Sequence, residues 1–369
     1  MPSRSPRGPF RPGTGAAPPY LAGREEGQAL FRDLLTDLKQ GTAPGTQVVL
    51  YGPRGNGKTA LLGWLKREAA ASGIETSVLR PSEVPSEGRL RELLAPGSWW
   101  ERIASGEVTI AGFSWKPGTM PPPPPGDILA ARARTNALVL LVDEAHTLDL
   151  AVGRGLLNAA QEVGAELPFL LVLAGTPNLE GRLNAMGASF WNRAEQIRVG
   201  RLSEESTAAA IQRPFADEGI AVAGDALTAI VRESQRYPFF VQLLGSRVWA
   251  SVTGRGGSRV TLAAVDAALA HFDRTRRRFY RQRLDELRRD GLLKVAVAVA
   301  EAFRNRPTLG DLELDAALKA ADVGEGDAAD TATGRLAKLG FLWRADELPE
   351  WEPGIPSLMD YVLRHAPGR

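Results

Sequence analysis

Residues 52–59 read Gly-Pro-Arg-Gly-Asn-Gly-Lys-Thr, and they follow the apolar run Val48-Val49-Leu50-Tyr51 without a break. This order constrains the fold more than any other feature of the chain. It predicts a buried strand ending at Tyr51, a glycine turn, and a helix opening near Lys58. Gly52, Gly55 and Gly57 permit tight backbone paths beside phosphate oxygens. Pro53, Arg54 and Asn56 complete the loop. Loop and helix N–H groups would surround the β- and γ-phosphates. Lys58 would add a positive charge, and the Thr59 hydroxyl would ligate Mg2+. The predicted ligand is therefore a nucleoside triphosphate with Mg2+.

A second apolar run, residues 138–142, ends in Asp143-Glu144. An acid at the C-terminal edge of a buried strand can organise a magnesium shell, and its neighbour can orient and polarise an attacking water. Asp143 takes the first role here and Glu144 the second. His146 follows, either as a relay of the γ-phosphate state or as a buried histidine satisfying a loop carbonyl. The string Asp-Glu-Ala-His suggests a helicase, but the paired lobes of that class are missing. A third run, residues 168–174, leads to Thr176, which either hydrogen-bonds water or phosphate or serves as a cap or turn residue.

Alternating strands and helices over residues 46–174 predict a three-layer α/β domain with a mainly parallel sheet. Four segments are expected. Residues 1–19, rich in Pro, Gly, Ser and Arg, read as a disordered tail. Residues 20–200 form the nucleotide-binding domain, and 201–257 a helical lid without strands. Residues 258–369 form a basic linker helix and a winged helix of three helices and two short strands. The five prolines at 121–125 are expected to be extended. They read either as a surface excursion or as a partner-binding segment.

The chain has no cysteine, which excludes disulfides and thiolate chemistry. Its three histidines show no metal-ligand spacing. No apolar run reaches membrane-spanning length, and no secretory signal precedes residue 20. The expected location is the cytoplasm. A formal net charge of +2 over 369 residues does not by itself argue for nucleic acid.

On these motifs the chain resembles the AAA+ ATPases, in particular the bacterial and archaeal branch similar to Orc1/Cdc6-type initiators, over about residues 20–365. The resemblance implies an ATP- and Mg2+-dependent ATPase with a P-loop AAA+ domain, a lid and a winged helix. Gly23-Arg24-Glu25 is similar to the entry motif near the adenine pocket. Lys58, Thr59, Asp143 and Glu144 fall on the nucleotide and magnesium positions, and Thr176 on the first sensor. Residues 189–193 resemble the segment that carries an arginine finger, which makes Arg193 the finger for a neighbouring subunit, with Arg198 as alternate. A surface salt bridge is the other reading of both. Arg236 in Ser-Gln-Arg-Tyr-Pro-Phe-Phe occupies the place of the second sensor. It departs from the usual pattern by preceding a proline, and Arg247 lies further along.

The resemblance leaves two functions open. One is an ATP-hydrolysing switch whose winged helix engages duplex DNA and which self-associates with nucleotide. The other is a signalling or scaffold ATPase whose winged helix binds a protein. Arg335 and Lys338 on the candidate recognition helix and Arg344 in the wing favour DNA. Asp322, Glu325, Asp327, Asp330, Asp346, Glu347, Glu350 and Glu352 oppose it. The helix containing Arg274, Arg276, Arg277, Arg278, Arg281 and Arg283 is the more basic feature. It reads as a solvated face, a salt-bridge strip or a phosphate-binding surface.

Overall fold

The computed structural model describes residues 8–13, 15, 17–95, 123–254, 256–344 and 350–366. These fall into two compact units, each with its own core.

One unit comprises Glu25–Tyr51 and Leu62–Ile197. Its centre is a five-stranded sheet in the order β2-β3-β4-β1-β5. The strands are β1 (Val48–Tyr51), β2 (Glu75–Leu79), β3 (Leu138–Val142), β4 (Phe169–Gly175) and β5 (Glu195–Arg198). β1 and β3 both pair with β4 in parallel, and β2 pairs with β3 in parallel. Every residue of β3 and β4 is buried. That suits continuous apolar runs covered on both faces, as the sequence predicts. Around the sheet lie α1 (Glu25–Lys39), most of α2 (Lys58–Ala71), α3 (Glu87–Leu94), α4 (Pro125–Thr135), α5 (Leu150–Glu166) and α6 (Leu179–Ala185). α1 buries Phe31, Leu34, Leu35 and Leu38, the residues that recur at helical spacing.

The proline run differs in part from expectation. Pro125 is not extended but begins α4. A helix tolerates proline in its first turn, where the missing N–H has no partner to lose. Pro121 and Pro122 lie outside the described residues.

The other unit comprises residues 1–24, 52–61 and 198–369. Its lid contains α7 (Glu204–Asp217), α8 (Gly224–Ser234) and α9 (Pro238–Thr253). Ser203 caps α7 by accepting from the Ser206 amide at 3.0 Å, and Pro238 opens α9. The sequence predicts no strand in the lid. The two-residue β6 (Ala221–Val222) nonetheless pairs in parallel with β7 (Arg259–Val260). Pairings this short carry no periodicity to read.

α10 (Leu262–Arg289) leads to α11 (Leu293–Ala302), α12 (Asp311–Ala320) and α13 (Asp327–Lys338). Then come the antiparallel strands β8 (Leu342–Trp343) and β9 (Glu352–Pro353), and α14 (Leu358–His365). This is the expected winged-helix arrangement. The wing turn, with Asp346 and Glu347, lies outside the described residues.

The expected disordered tail is ordered in part. Phe10 is 2% exposed and belongs to the lid core. Its ring lies 5.2 Å from that of Phe215, and it fills the space beside Gly245. The Arg11 amide donates to Gln242 Oε1 at 2.9 Å. Burying one aromatic ring offsets the ordering of a short Pro/Gly segment whose composition alone predicts disorder. Residues 1–7 lie outside the described residues.

Candidate nucleotide site

The loop after β1 is shaped by backbone. Gly55 and Gly57 adopt φ of 83° and 96°, a region that disfavours other residues. A Cβ at Gly52 would collide with the Val199 carbonyl oxygen. Asn56 Nδ2 donates to that same carbonyl at 3.0 Å. Lys58 opens α2, is 5% exposed, and points its Nζ at the carbonyls of Gly52 (2.7 Å) and Pro53 (3.0 Å). The ammonium is thus held over the loop it is predicted to serve. The loop amides, Lys58 and Thr59 at a helix start fit a magnesium-bound triphosphate.

Three other segments of the same unit reach this loop. Arg24 donates to the carbonyls of Asn56 (3.0 Å), Gly200 (2.6 Å) and Gly23 (2.7 Å), so its guanidinium braces the loop. Tyr237 Oη donates to the Arg54 carbonyl, and burial raises its pKa, which keeps the hydroxyl protonated. The Phe239 amide donates to the Gly55 carbonyl at 3.1 Å. The first residues of α9 are therefore hydrogen-bonded to the loop. At Gly15 a Cβ would stand 3.0 Å from Thr59 Cγ2, so the N-terminal segment runs beside the proposed magnesium ligand.

Asp143, Glu144, His146 and Thr176 belong to the sheet unit. Register aligns Val142 with Leu173, Leu50 with Ala174 and Tyr51 with Gly175. Asp143 and Thr176 consequently follow strand ends on the edge from which residue 52 departs. Asp143 Oδ1 accepts from the Glu144 amide at 3.0 Å. Glu144 has φ 54°, a left-handed conformation that costs a non-glycine residue energy and often marks functional positions.

The buried His146 ring lies between the two strand ends. Its Nε2 is 3.4 Å from Glu144 Oε2, and its Nδ1 accepts from the Thr176 amide at 3.4 Å. That pairing assigns the proton to Nε2, facing the carboxylate. His146 thus stands 3.4 Å from both the Glu144 carboxylate and the Thr176 amide. The Thr176 hydroxyl donates to Asn178 Oδ1 at 2.5 Å, the arrangement of a turn residue.

The remaining predicted residues lie elsewhere. Arg193 ends a short 3-10 turn, is exposed, and forms no ion pair among the described residues. Arg198 lies in β5 and is engaged within the chain. Arg236 has φ 59° and, with Arg201, Pro353 and Pro356, lines a cleft of about 310 Å3 toward the wing. Its neighbour Tyr237, not Arg236, bonds to the phosphate loop. Sequence reasoning missed Tyr237, because nothing local tells a hydroxyl that reaches a distant carbonyl from a core aromatic.

No protein-family model and no curated protein matches the chain. Solved structures do. A Walker-type ATPase of Pyrococcus abyssi is 15% identical with a TM-score of 0.63, covering 93% of this chain and 96% of its own. The ORC2 protein of Aeropyrum pernix, in its ADP form, is 15% identical with a TM-score of 0.57, covering 97% and 99%. The RuvB Holliday junction branch migration motor of Thermotoga maritima is 19% identical with a TM-score of 0.50, covering 92% and 95%. The chain has the AAA+ P-loop ATPase fold, a mixed α/β domain with a helical lid and a C-terminal winged-helix region. Among the described residues no helix is long and apolar enough to cross a membrane.

Proposed function

We propose that this chain is a Mg-ATP-binding and hydrolysing switch that engages duplex DNA. The observation that carries the nucleotide reading is the phosphate loop. Two of its glycines hold left-handed conformations, its lysine is aimed into it, and its carbonyls are bonded to the lid. Lys58 binds phosphate, and Thr59 with Asp143 holds the metal, which neutralises charge on the phosphates when bound. Glu144 orients the attacking water, His146 senses that carboxylate, and Thr176 contacts water or phosphate. Arg193 serves the site of a neighbouring copy, and Arg236 reports lid position.

The lid contacts support a switch rather than a passive binding protein. Tyr237 and Phe239 bond to the loop, while Gln235 Nε2 donates to Ser357 Oγ at 2.6 Å. The Tyr280 hydroxyl donates to the Pro356 carbonyl at 2.7 Å. Five residues of one segment thus link the phosphate loop to the start of α14. One fold neighbour favours nucleic acid, since it is a Holliday junction branch migration motor.

The protein-binding alternative has its own support in the winged-helix region. Arg344 faces Asp311, Arg306 Glu313 and Lys319 Glu325, so each of these cations has a carboxylate beside it. Phosphate release from Mg-ATP, measured with and without a duplex of mixed sequence, separates the readings. Turnover that responds to the duplex supports the DNA switch. Turnover indifferent to it, with no duplex bound, supports the protein-binding ATPase.

A further inference from the structure

α10 treats its arginines in two ways. Arg276 pairs with Asp273 at 2.7 Å, Arg283 with Glu286, and Arg288 with Asp285 at 3.0 Å. Arg274, Arg277, Arg278 and Arg281 are exposed, and none joins an ion pair among the described residues. At 3.6 residues per turn these four lie within an arc of roughly 100° and span about 10 Å of helix. Over that length one DNA strand presents about three phosphates.

The stripe works against the helix. Arg274 with Arg277 and Arg278, and Arg281 with Arg277 and Arg278, are like charges at i,i+3 and i,i+4, which repel. The winged helix is more fully paired at two of its cations, Lys294 with Asp322 and Arg304 with Glu301, while Arg335, like Arg277, is bound only to a carbonyl and exposed Lys338 joins no ion pair among the described residues. α13, the candidate recognition helix, begins with Asp327 and Asp330.

We propose that Arg274, Arg277, Arg278 and Arg281 on the exposed face of α10, rather than the wing, contact the phosphate backbone of duplex DNA. Four arginines without a carboxylate partner on one face complement a regular polyanion, whereas the candidate recognition helix offers Arg335 and Lys338 behind the acidic Asp327 and Asp330. The contact is independent of base sequence, because guanidinium–phosphate pairs position without reading bases. This inference rests on the DNA part of the proposed function and moves the contact within it.

The test is fluorescence anisotropy of a labelled 30-base-pair duplex of mixed sequence, titrated with the full chain from 50 to 200 mM salt. The wild type is compared with the fourfold Arg→Ala variant at 274, 277, 278 and 281, and with the Lys338→Ala/Arg344→Ala variant. Three to four phosphate contacts predict that the stripe contributes about 2.7–3.6 to the slope of log K against log salt, roughly 40- to 150-fold over that range. The fourfold variant should lose this dependence, and the double variant should keep it. A fourfold Arg→Gln variant, similar in size, serves if the alanine variant fails to melt like wild type.

An unchanged slope in the fourfold variant overturns the proposal, as does loss of binding in the double variant alone. Wild type that binds phosphatidylserine vesicles but not the duplex also overturns it. Mg-ATP turnover is measured on the same samples. Normal turnover without duplex binding rejects the DNA contact and leaves the nucleotide reading standing, whereas absent turnover with intact duplex binding does the reverse.

Discussion

The loop after β1 and the loops after β3 and β4 leave one edge of one sheet, yet they are built from different material. The first is a backbone object, shaped by Gly52, Gly55 and Gly57 and braced by Arg24, Asn56 and Tyr237. The others carry side-chain chemistry, with Glu144, His146 and Thr176 in a row and Glu144 in a left-handed conformation. A backbone cradle binds whatever its amides fit. A side-chain row is suited to orient a reacting group. Changes after β1 should therefore act on nucleotide affinity, and changes after β3 or β4 on turnover.

The largest expected effect belongs downstream of β4. Arg193→Ala should lower ATP turnover of the assembled protein by about 1,000-fold, the scale of an arginine finger, with nucleotide affinity of the monomer kept. Mixing it with Glu144→Gln should restore part of the activity, because a mixed interface pairs an intact finger with an intact site. Full activity of Arg193→Ala alone, in a protein shown to be oligomeric, would remove the trans role.

Glu144→Gln follows. It keeps the shape of the side chain and loses the carboxylate, so turnover should fall by about 100-fold or more while ATP binding persists. Phosphate release at saturating Mg-ATP checks it. Weakened ATP binding with unchanged turnover would reverse the division between the two regions.

Tyr237→Phe is the smallest test, and it acts on the first region. It removes the donor to the Arg54 carbonyl and should cost about 1–3 kcal/mol of stability by leaving that group less satisfied. Denaturant melts measure the cost. A stability equal to wild type would mean that the lid does not brace the loop.

The same contrast governs what was legible in the sequence. The phosphate loop needs glycines at fixed spacing after a strand and before a helix, so residues 48–59 declare themselves locally. The acid at the end of β3 and the helices of the winged region also follow from local runs and periodicity. The place of His146 was not decidable, because its neighbours come from two strand ends brought together by register. Phe10 was hidden by its Pro/Gly surroundings, since its anchor, Phe215, lies two hundred residues away in the chain. In α10 the sequence displayed the arginines. Which of them had carboxylate partners depended on rotamers and packing.

Everything proposed for this chain depends on residues 52–59 binding the triphosphate. The decisive experiment is titration calorimetry of Mg-ATP into wild type and Lys58→Ala, both shown to be folded. Loss of the charged donor predicts an affinity weaker by about 10–100-fold, the equivalent of a charge-assisted hydrogen bond. Equal affinity in the two proteins would mean that the triphosphate is not held by this loop.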